Sequence, residues 1–271
     1  MDIELLTMAQ EYARKGYVVL RDLLSPQLVA DLRSASERVF AAQGVRDDFN
    51  IRAEARRDVD GSWVVDRLDP VVDLSPTFVE AVSQPRLLLA LRELIGGQPQ
   101  LLKCKLIRKD PSVQGYAAHQ DYLYWRWLET HPDQLCSVAI AIFDADVDSG
   151  GIELFPALHR AQIPGADGSL EADCDLAELG ALESEVPSLR AGDALIFHSL
   201  SPHRSGPNTS AHPRTVLLPS YISGAEPDIY LKYYRREIER RVRDYVGFEH
   251  FDQQHNHMLT QFAQANSSVS T

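Results

Sequence analysis

The feature that most constrains the fold of this chain is a series of short apolar segments, separated by turn signals, in its second half. The turn signals include Asp148-Ser149-Gly150-Gly151 and Ala191-Gly192-Asp193. Many short strands interrupted by Gly, Pro and Asp are typical of a β-sandwich or a β-barrel. The segments are residues 101–108, 116–122, 136–143, 152–155, 194–198 and 215–222.

The region before these segments has a different pattern and predicts helices around one short strand. Residues 2–15 predict a helix, and residues 17–20 are rich in β-forming side chains. Ser25-Pro26 has the residue types that favour a helix start, with a capping Ser followed by Pro at the first helical position. Residues 76–94 predict another helix, and the polar stretch 44–61 predicts a loop.

These patterns predict a mainly β fold with flanking α-helices. At 271 residues the chain is long enough for one large domain with a substantial core, and no interdomain linker is evident. We therefore expect a single domain over residues 1–271. It would have a helical N-terminal part over 1–98, a β core over about 99–224 and a helical C-terminal tail over 225–271.

Composition limits the partners and the compartment that we expect. The formal net charge is -12, with no basic footprint for a nucleic-acid backbone. No apolar run approaches the roughly 18 residues of a membrane span, and the N-terminus lacks the pattern of a signal peptide. Three cysteines at irregular spacing predict reduced thiols and a cytoplasmic protein. The expected partner is a small-molecule substrate, and the sequence leaves monomer or homodimer open.

Three polar residues and one arginine inside the β region form the candidate site. His119 and Asp121 are two positions apart, so on a strand both side chains point to the same face. His203 follows a strand that begins after Gly192-Asp193. Arg214 lies eleven residues beyond His203, close to the start of the next predicted strand.

This set of residues suits one kind of metal chemistry. Two imidazoles and one carboxylate on one face of a metal leave coordination positions open, which is typical of Fe(II) oxygenases. A 2-oxo acid and O2 need those open positions. An arginine provides a two-pronged match for the far carboxylate of such an acid. The His-x-Asp pair alone is weak, since such a pair is often an ordinary histidine near an acid, but the four residues in this order are specific.

The sequence resembles the phytanoyl-CoA dioxygenase family of Fe(II)/2-oxoglutarate-dependent dioxygenases. The resemblance extends over nearly the whole chain, roughly residues 11–221, and the implied fold is the double-stranded β-helix, a jelly roll of the cupin-like type. The matching motifs are Gly16-Tyr17-Val18-Val19-Leu20-Arg21, His119-Gln120-Asp121, Ser149-Gly150-Gly151-Ile152-Glu153-Leu154-Phe155-Pro156, His159, Gly192-Asp193, Phe197-His198, His203-Arg204-Ser205-Gly206-Pro207-Asn208 and Arg214. The chain departs from the family at Pro156-Ala157-Leu158-His159 and Ser149-Gly150, which concern a turn beside the barrel.

The resemblance implies a role for each of these site residues. The metal ligands, which are also the catalytic set, would be His119, Asp121 and His203. The co-substrate 2-oxoglutarate would bind Arg214, assisted by the Ser205 hydroxyl, and Gln120 and Lys105 would also approach it. Related halogenases replace the carboxylate with a small residue, so the presence of Asp121 favours oxygen transfer.

Two further groups are candidates for the substrate. Lys103 lies two positions before Lys105, and an inward pair of lysines would suit an anionic substrate, although strand-end lysines often only extend to solvent. Tyr122, Tyr124 and Trp125 belong to an aromatic run that directly follows the metal ligands. The run is either a packed aromatic edge or a lid over the substrate, and the sequence does not separate the two.

The expected function is hydroxylation of an unactivated C–H bond in a small, polar or anionic metabolite, for example an aminophosphonate or an amino acid. The cofactors would be Fe(II), 2-oxoglutarate and O2, with succinate and CO2 released. The alternatives are desaturation, cyclisation or epoxidation with the same cofactors in a natural-product pathway, or a metal-binding β-barrel without catalysis.

Overall fold

The computed structural model describes residues 3–42, 53–57, 63–170, 173–175, 179–180 and 182–245. The ten strands in this part of the chain form one large and one small antiparallel sheet, and the helices lie outside them. The helices are α1 (Ile3–Lys15), α2 (Pro26–Ala42), α3 (Pro76–Val82), α4 (Pro85–Leu94) and α5 (Ile229–Tyr245). The strands are β1 (Tyr17–Leu20), β2 (Ala53–Arg57), β3 (Trp63–Leu68), β4 (Pro99–Lys109), β5 (Tyr116–His119), β6 (Leu135–Ala141), β7 (Ile152–Leu154), β8 (Ala194–His198), β9 (His203–Ser205) and β10 (Arg214–Ser223).

The two sheets differ in size and in how their strands are connected. The large sheet has seven strands in the order β1-β8-β6-β10-β4-β3-β2, and the small sheet has three in the order β5-β9-β7. Strands that are distant in sequence are neighbours in both sheets. This arrangement of two facing antiparallel sheets with flanking helices is the predicted mainly β fold, a double-stranded β-helix, and the prediction is confirmed.

Strand β4 shows how the large sheet separates a cavity from a core. Side chains alternate along a strand, so the odd-numbered Lys103, Lys105 and Ile107 face the other sheet and line a cavity. The even-numbered Leu102 and Leu106 are fully buried in a core that they share with the helices. Each such leucine contributes about 1.5–3 kcal/mol by leaving water. One face of β4 therefore packs against the helices, and the opposite face lines the cavity.

The C-terminal helix α5 packs against β4 and is held there by a buried tyrosine. The Tyr234 hydroxyl accepts a hydrogen bond from the Cys104 backbone nitrogen at 2.9 Å and lies 2.6 Å from Asp69 Oδ1. Burial, together with the Asp69 carboxylate, raises the pKa of Tyr234 well above its ordinary value, so this hydroxyl keeps its proton. One face of α5 is thereby turned toward the cavity side of the molecule.

Several expected elements have different limits in the structure. The helix predicted over residues 76–94 is two helices, because Pro85 has no N–H and starts α4 after a break. The predicted loop over 44–61 includes β2, while its remaining residues lie outside the described part of the chain. The N-terminal part is not only helical, since β1, β2 and β3 extend the large sheet at both edges.

Other expectations hold where they are described. The helix at the N-terminus, the strand at residues 17–20 and the helix that starts at Pro26 are all present. The three cysteines are free and buried. The predicted tail helix is α5, and the tail beyond residue 245 lies outside the described residues. Within the described residues, no helix is long and apolar enough to cross a bilayer.

Candidate active site

His119, Asp121 and His203 meet in one cavity lined by residues of both sheets. The cavity has a volume of about 1020 Å³. One possible ligand atom from each of the three residues lies within 4.8 Å of the other two. Among the described residues, this is the group of His, Cys, Asp and Glu side chains that could hold a metal ion.

The local backbone explains why these three side chains converge. His119 ends β5 and pairs directly with His203 on β9, which places the two imidazole rings 4.2 Å apart, centre to centre. Gln120 is extended, with φ -115° and ψ 127°, so Asp121 points to the same side as His119. The predicted strand over 116–122 ends at His119, and Asp121 begins a 3-10 helix, Asp121–Leu128.

Each of the three side chains is held in place by a further hydrogen bond. His119 Nδ1 lies 2.8 Å from the Ala117 carbonyl oxygen, and His203 Nδ1 lies 3.0 Å from the Ser201 carbonyl oxygen. A carbonyl oxygen only accepts, so both Nδ1 atoms carry the proton and both Nε2 atoms have a free lone pair. Such partners orient histidines for a metal.

The carboxylate of Asp121 is also oriented by the protein. Ser137, on the neighbouring β6, donates a hydrogen bond to Asp121 Oδ2 at 2.5 Å. The other oxygen, Oδ1, lies 3.7 Å from His119 Nε2. One oxygen is therefore held by the sheet, and the other faces the two imidazoles.

Burial and charge in this part of the cavity favour the unprotonated forms of Asp121 and His203. Burial opposes the charged form of Asp121, but His203, Lys105, His119 and Lys103 outweigh it and hold the pKa of the carboxyl below its usual range. Burial lowers the pKa of His203 to about 4, and the neighbouring His119 adds to this effect. An ionised carboxylate and neutral imidazoles are the forms that bind a metal ion.

Arg214 lies at the start of β10 and lines the same cavity. Its side chain is only 3% exposed, and its Nε has no hydrogen-bond partner among the described residues. Burial lowers the pKa of the guanidinium to about 10, an effect that Tyr116 partly offsets. A buried guanidinium with an unused donor needs an anion, so the cavity fits a carboxylate at this point. Ser205 also lines the cavity here.

Lys103 and Lys105 both reach the cavity, which is the inward one of the two arrangements that the sequence left open. Burial alone lowers the pKa of Lys103, but Tyr233, Asp69 and Asp121 raise it above its usual range. The Lys103 Nζ also lies over the rings of Trp125, at 5.9 Å, and of Tyr233, at 5.7 Å. Burial and the charge of Lys103 lower the pKa of Lys105 to about 7.

The cavity carries positive charge although the whole chain is acidic. Its Lys and Arg residues outnumber its Asp and Glu residues by two to one, while the net charge of the chain is -12. A local field of this sign favours small anions. The cationic residues are Arg67, Lys103, Lys105, Arg126, Arg204, Arg214, Arg236 and Arg240, and the acidic ones are Asp69, Asp121, Asp173 and Glu237.

The structure does not place every expected residue in the cavity. Gln120, next to two inward residues in an extended segment, points the opposite way. Its amide donates to the carbonyl oxygens of Ala161 and Leu200 and accepts from the Ile163 nitrogen. The expected contact between Gln120 and the co-substrate is therefore not supported, and the side chain instead anchors the loop at 161–163.

The aromatic run divides between the two roles that the sequence left open. Trp125 is fully buried in the apolar core, and Tyr122 packs against that core and donates to the Thr130 carbonyl oxygen. Neither lines the cavity. Tyr124 does line it and is 52% exposed, with its ring 5.9 Å from that of His119. These residues lie on the 3-10 helix Asp121–Leu128, so neighbouring side chains point in different directions and the run has both a packed side and a cavity side.

Several cavity residues were missed by the sequence because they come from elements far from the motifs. Tyr233, Arg236, Glu237 and Arg240 extend from α5, and their spacing of three, four and seven residues is that of one helical face. Arg67 comes from β3, an element not foreseen. The helical spacing in α5 was the signal available, but nothing local shows that this face meets the cavity.

A double-stranded β-helix that brings two histidines, an aspartate and a buried arginine into one cavity defines the class of Fe(II)/2-oxoglutarate-dependent dioxygenases. The family model of phytanoyl-CoA dioxygenase matches residues 12–216. The chain therefore belongs to the phytanoyl-CoA dioxygenase family, and the predicted enzyme class and cofactors, Fe(II), 2-oxoglutarate and O2, are confirmed.

Individual relatives support this assignment at different levels. A methylphosphonate hydroxylase of Gimesia maris is 36% identical over 140 residues, which are 51% of this chain and 51% of that protein. An ectoine dioxygenase of Nocardia farcinica is 27% identical and covers 75% of this chain and 73% of its own length. In fold, the iron-bound crystal structure of EctD from S. alaskensis is similar with a TM-score of 0.69, at 18% identity over 86% of this chain and 84% of that one.

Proposed function

We propose that this enzyme hydroxylates an unactivated C–H bond of a small anionic metabolite, with 2-oxoglutarate as co-substrate. The observation that carries the proposal is that His119, Asp121 and His203 share one cationic cavity with the buried Arg214, whose Nε has no partner among the residues that the structure describes. The first three residues suit a ferrous ion, and the arginine suits the far carboxylate of a 2-oxo acid.

The residues that would hold the iron are His119 and His203, through Nε2, and Asp121. When bound, the iron with 2-oxoglutarate and O2 supplies the oxidation of the C–H bond and releases succinate and CO2. The protein presents its donors without reorganisation, because Ala117, Ser201 and Ser137 already hold them. The donor set leaves room for other ligands, since three side chains do not complete a coordination shell.

The residues that would hold the co-substrate are Arg214 and Ser205, with Lys105 nearby. Arg214 can form two parallel hydrogen bonds to a carboxylate, and its burial makes each one stronger than in water. Ile107 and Val216 line the cavity beside it and exclude water from the carbon chain. Arginine and apolar walls together select a short dicarboxylate with an apolar middle.

The substrate would bind where Lys103 faces the helical side of the cavity. Trp127 and Tyr233 line this part, and the Arg236 guanidinium lies 4.7 Å above the Trp127 ring. Cations beside aromatic rings suit a compact molecule with a phosphonate or carboxylate group. The names of relatives that act on methylphosphonate and ectoine support a small polar substrate.

Other outcomes of the same cofactor chemistry, namely desaturation, cyclisation and epoxidation, remain the alternative reactions. A metal-binding barrel without catalysis is less well supported, since it has no use for the buried Arg214. We further propose that residues 1–271 form a single domain. We also propose a cytoplasmic enzyme, in keeping with three free, buried thiols.

The first test is a visible spectrum of the apo protein under anaerobic conditions, with Fe(II) and 2-oxoglutarate added singly and then together. We expect a weak charge-transfer band only with both additions, because it reports a 2-oxo acid chelated to ferrous iron. A protein that binds Fe(II) but develops no band with 2-oxoglutarate would contradict the proposed co-substrate.

The second test is succinate release with a matched substrate panel. The panel contains methylphosphonate, 2-aminoethylphosphonate, L-proline and ectoine, with an uncharged alcohol of similar size as the control. We expect the members with a phosphonate or carboxylate group to stimulate succinate release above the uncoupled rate and to yield a hydroxylated product by mass spectrometry. Equal stimulation by the uncharged alcohol would refute the anionic substrate class.

A further inference from the structure

Lys109, at the end of β4, is a buried cation with no role in the scheme above. It is 1% exposed and is among the largest fully buried side chains in the described part of the chain. It lies directly opposite Arg214 in the pairing of β4 with β10. Two cations are therefore neighbours at the point where the far carboxylate of the co-substrate would bind.

The ammonium group of Lys109 has three N–H donors, and the protein provides an acceptor for each. Nζ donates to Gly206 O at 2.6 Å, to Ser205 Oγ at 2.9 Å and to Gly150 O at 3.0 Å. With its donors used in this way, Lys109 is not arranged to bind a ligand directly. Its polar contact closest to the site is with Ser205.

Two motifs noted in the sequence supply these acceptors. One is the turn at Gly150, with φ +69°, and the other is the segment that follows His203. A side chain at Gly150 would bring a Cβ within 2.6 Å of Gly206 O and 2.9 Å of Lys109 Nζ. Asn208 also donates to the Lys109 carbonyl oxygen at 2.8 Å. Both motifs thus surround one lysine.

The bond to Lys109 restricts the hydroxyl group of Ser205. Ser205 Oγ accepts from Lys109 Nζ at 2.9 Å and from the Tyr116 backbone nitrogen at 3.2 Å. An sp³ hydroxyl oxygen has two lone pairs and one proton, so two donors leave the proton only one direction. In the described part of the chain no acceptor receives that proton, and Ser205 lines the cavity together with Arg214.

We propose that Lys109 is a positioning residue, which holds the Ser205 hydroxyl so that its proton points at the far carboxylate of 2-oxoglutarate beside Arg214. This inference rests on the proposed function, because it assigns part of the same co-substrate site. Without the ammonium, the carbonyl oxygens of Gly150 and Gly206 would lose their donor. The Ser205 hydroxyl would then be free to turn toward them and away from the cavity.

The test is the preference of the protein for a 2-oxo acid with a far carboxylate. Dissociation constants for 2-oxoglutarate and for 2-oxobutanoate, which lacks that carboxylate, are measured by calorimetry with Mn(II) in place of iron. The wild type should bind 2-oxoglutarate more tightly. In K109M this preference should fall about tenfold, the effect of losing one hydrogen bond to a charged group, while 2-oxobutanoate affinity is unchanged.

Three further variants sharpen the test. S205A should lose about as much preference as K109M, and the double variant should lose no more than either alone, because both act through one hydroxyl. R108M is the matched control, since Arg108 is next along β4 but pairs with Asp110 away from the cavity, and it should behave like the wild type. K109Q has a neutral amide with two donors for the three acceptors of the Lys109 ammonium, so at least one acceptor stays unpaired, and it should show the reduced preference if K109M does not fold.

The outcomes separate this inference from the proposed function. If the wild type does not prefer 2-oxoglutarate, the co-substrate site itself is wrong, and the role of Lys109 is wrong with it. If the wild type shows the preference but K109M and K109Q keep it, or lose affinity for both acids equally, then only the inference about Lys109 is overturned.

Discussion

Two regions of the cavity are built in different ways. The chelating region consists of His119, Asp121, His203, Ser205 and Arg214, all inside the segment that matches the family. The helical wall consists of Leu123, Tyr124, Arg126 and Trp127 from the 3-10 helix and Tyr233, Arg236, Glu237 and Arg240 from α5. The α5 residues lie beyond the matched segment, which ends at residue 216.

The two regions also differ in how firmly their side chains are held. In the chelating region, backbone carbonyls hold the histidines, and Ser137 holds Asp121. In the helical wall, Tyr124 and Arg236 are exposed and project from helices. We infer that the chelating region determines the reaction and that the helical wall determines which substrates are preferred. Changes in the first should affect every substrate, and changes in the second should affect some substrates more than others.

The largest effect is expected from H119A. The loss of a ligand should lower the affinity for Fe(II) and reduce succinate release by more than about a hundredfold. Even the mutation of a residue that hydrogen-bonds to a ligand typically lowers metal affinity or activity about ten- to a hundredfold. The measurements are iron content after dialysis and turnover with each substrate. The control is H212A, because His212 is an exposed histidine outside the cavity. Full activity of H119A would refute the proposed ligand set.

R214M should have the next largest effect, on the co-substrate rather than on the metal. Removing one partner of a buried charge pair costs about 2–5 kcal/mol, so the KM for 2-oxoglutarate should rise at least about thirtyfold. Iron content should stay the same. R190M is the control, since Arg190 is exposed and pairs with Asp22. An unchanged KM for 2-oxoglutarate would place its carboxylate elsewhere.

S137A should have an intermediate effect, because it leaves all three ligands in place but removes the donor to Asp121 Oδ2. Mutation of a residue that hydrogen-bonds to a metal ligand typically lowers metal affinity about ten- to a hundredfold, so we expect about a tenfold loss of Fe(II) affinity. Competition with a colorimetric chelator measures this loss. S220A provides the comparison. The Ser220 hydroxyl lies 3.2 Å from Ser137 Oγ and reaches Asp121 only through Ser137, so S220A should have a smaller effect.

R236A should have the smallest effect and tests the helical wall. An exposed cation contributes little, so the KM for an anionic substrate should rise only about two- to fivefold. The KM for 2-oxoglutarate should not change. R235A is the matched control, because Arg235 is exposed on the same helix but does not line the cavity. An equal rise in both KM values would show that α5 supports the chelating region instead.

Much of the chelating region could be predicted from the sequence because it depends on short-range geometry. His119 and Asp121 face one way because they are two residues apart in extended backbone. Because side chains alternate in extended backbone, Gln120 points away from the cavity, although the family resemblance had implied a contact with 2-oxoglutarate. The sequence left the aromatic run open between a packed edge and a lid, and the structure places Trp125 in the packed core because the segment forms a 3-10 helix.

The sequence by itself determined the mainly β class, the order of the four site residues and the shared face of Lys103 and Lys105 on β4. Each of these follows from periodicity or from residue chemistry over a few positions. Only the tertiary structure decided that α5 lines the cavity and that Lys109 holds Ser205. Those contacts join residues about 40 to 130 positions apart, at Gly150 and Lys109 or at Tyr234 and Cys104. No local pattern encodes such pairs, because they depend on how the sheets and helices pack against each other.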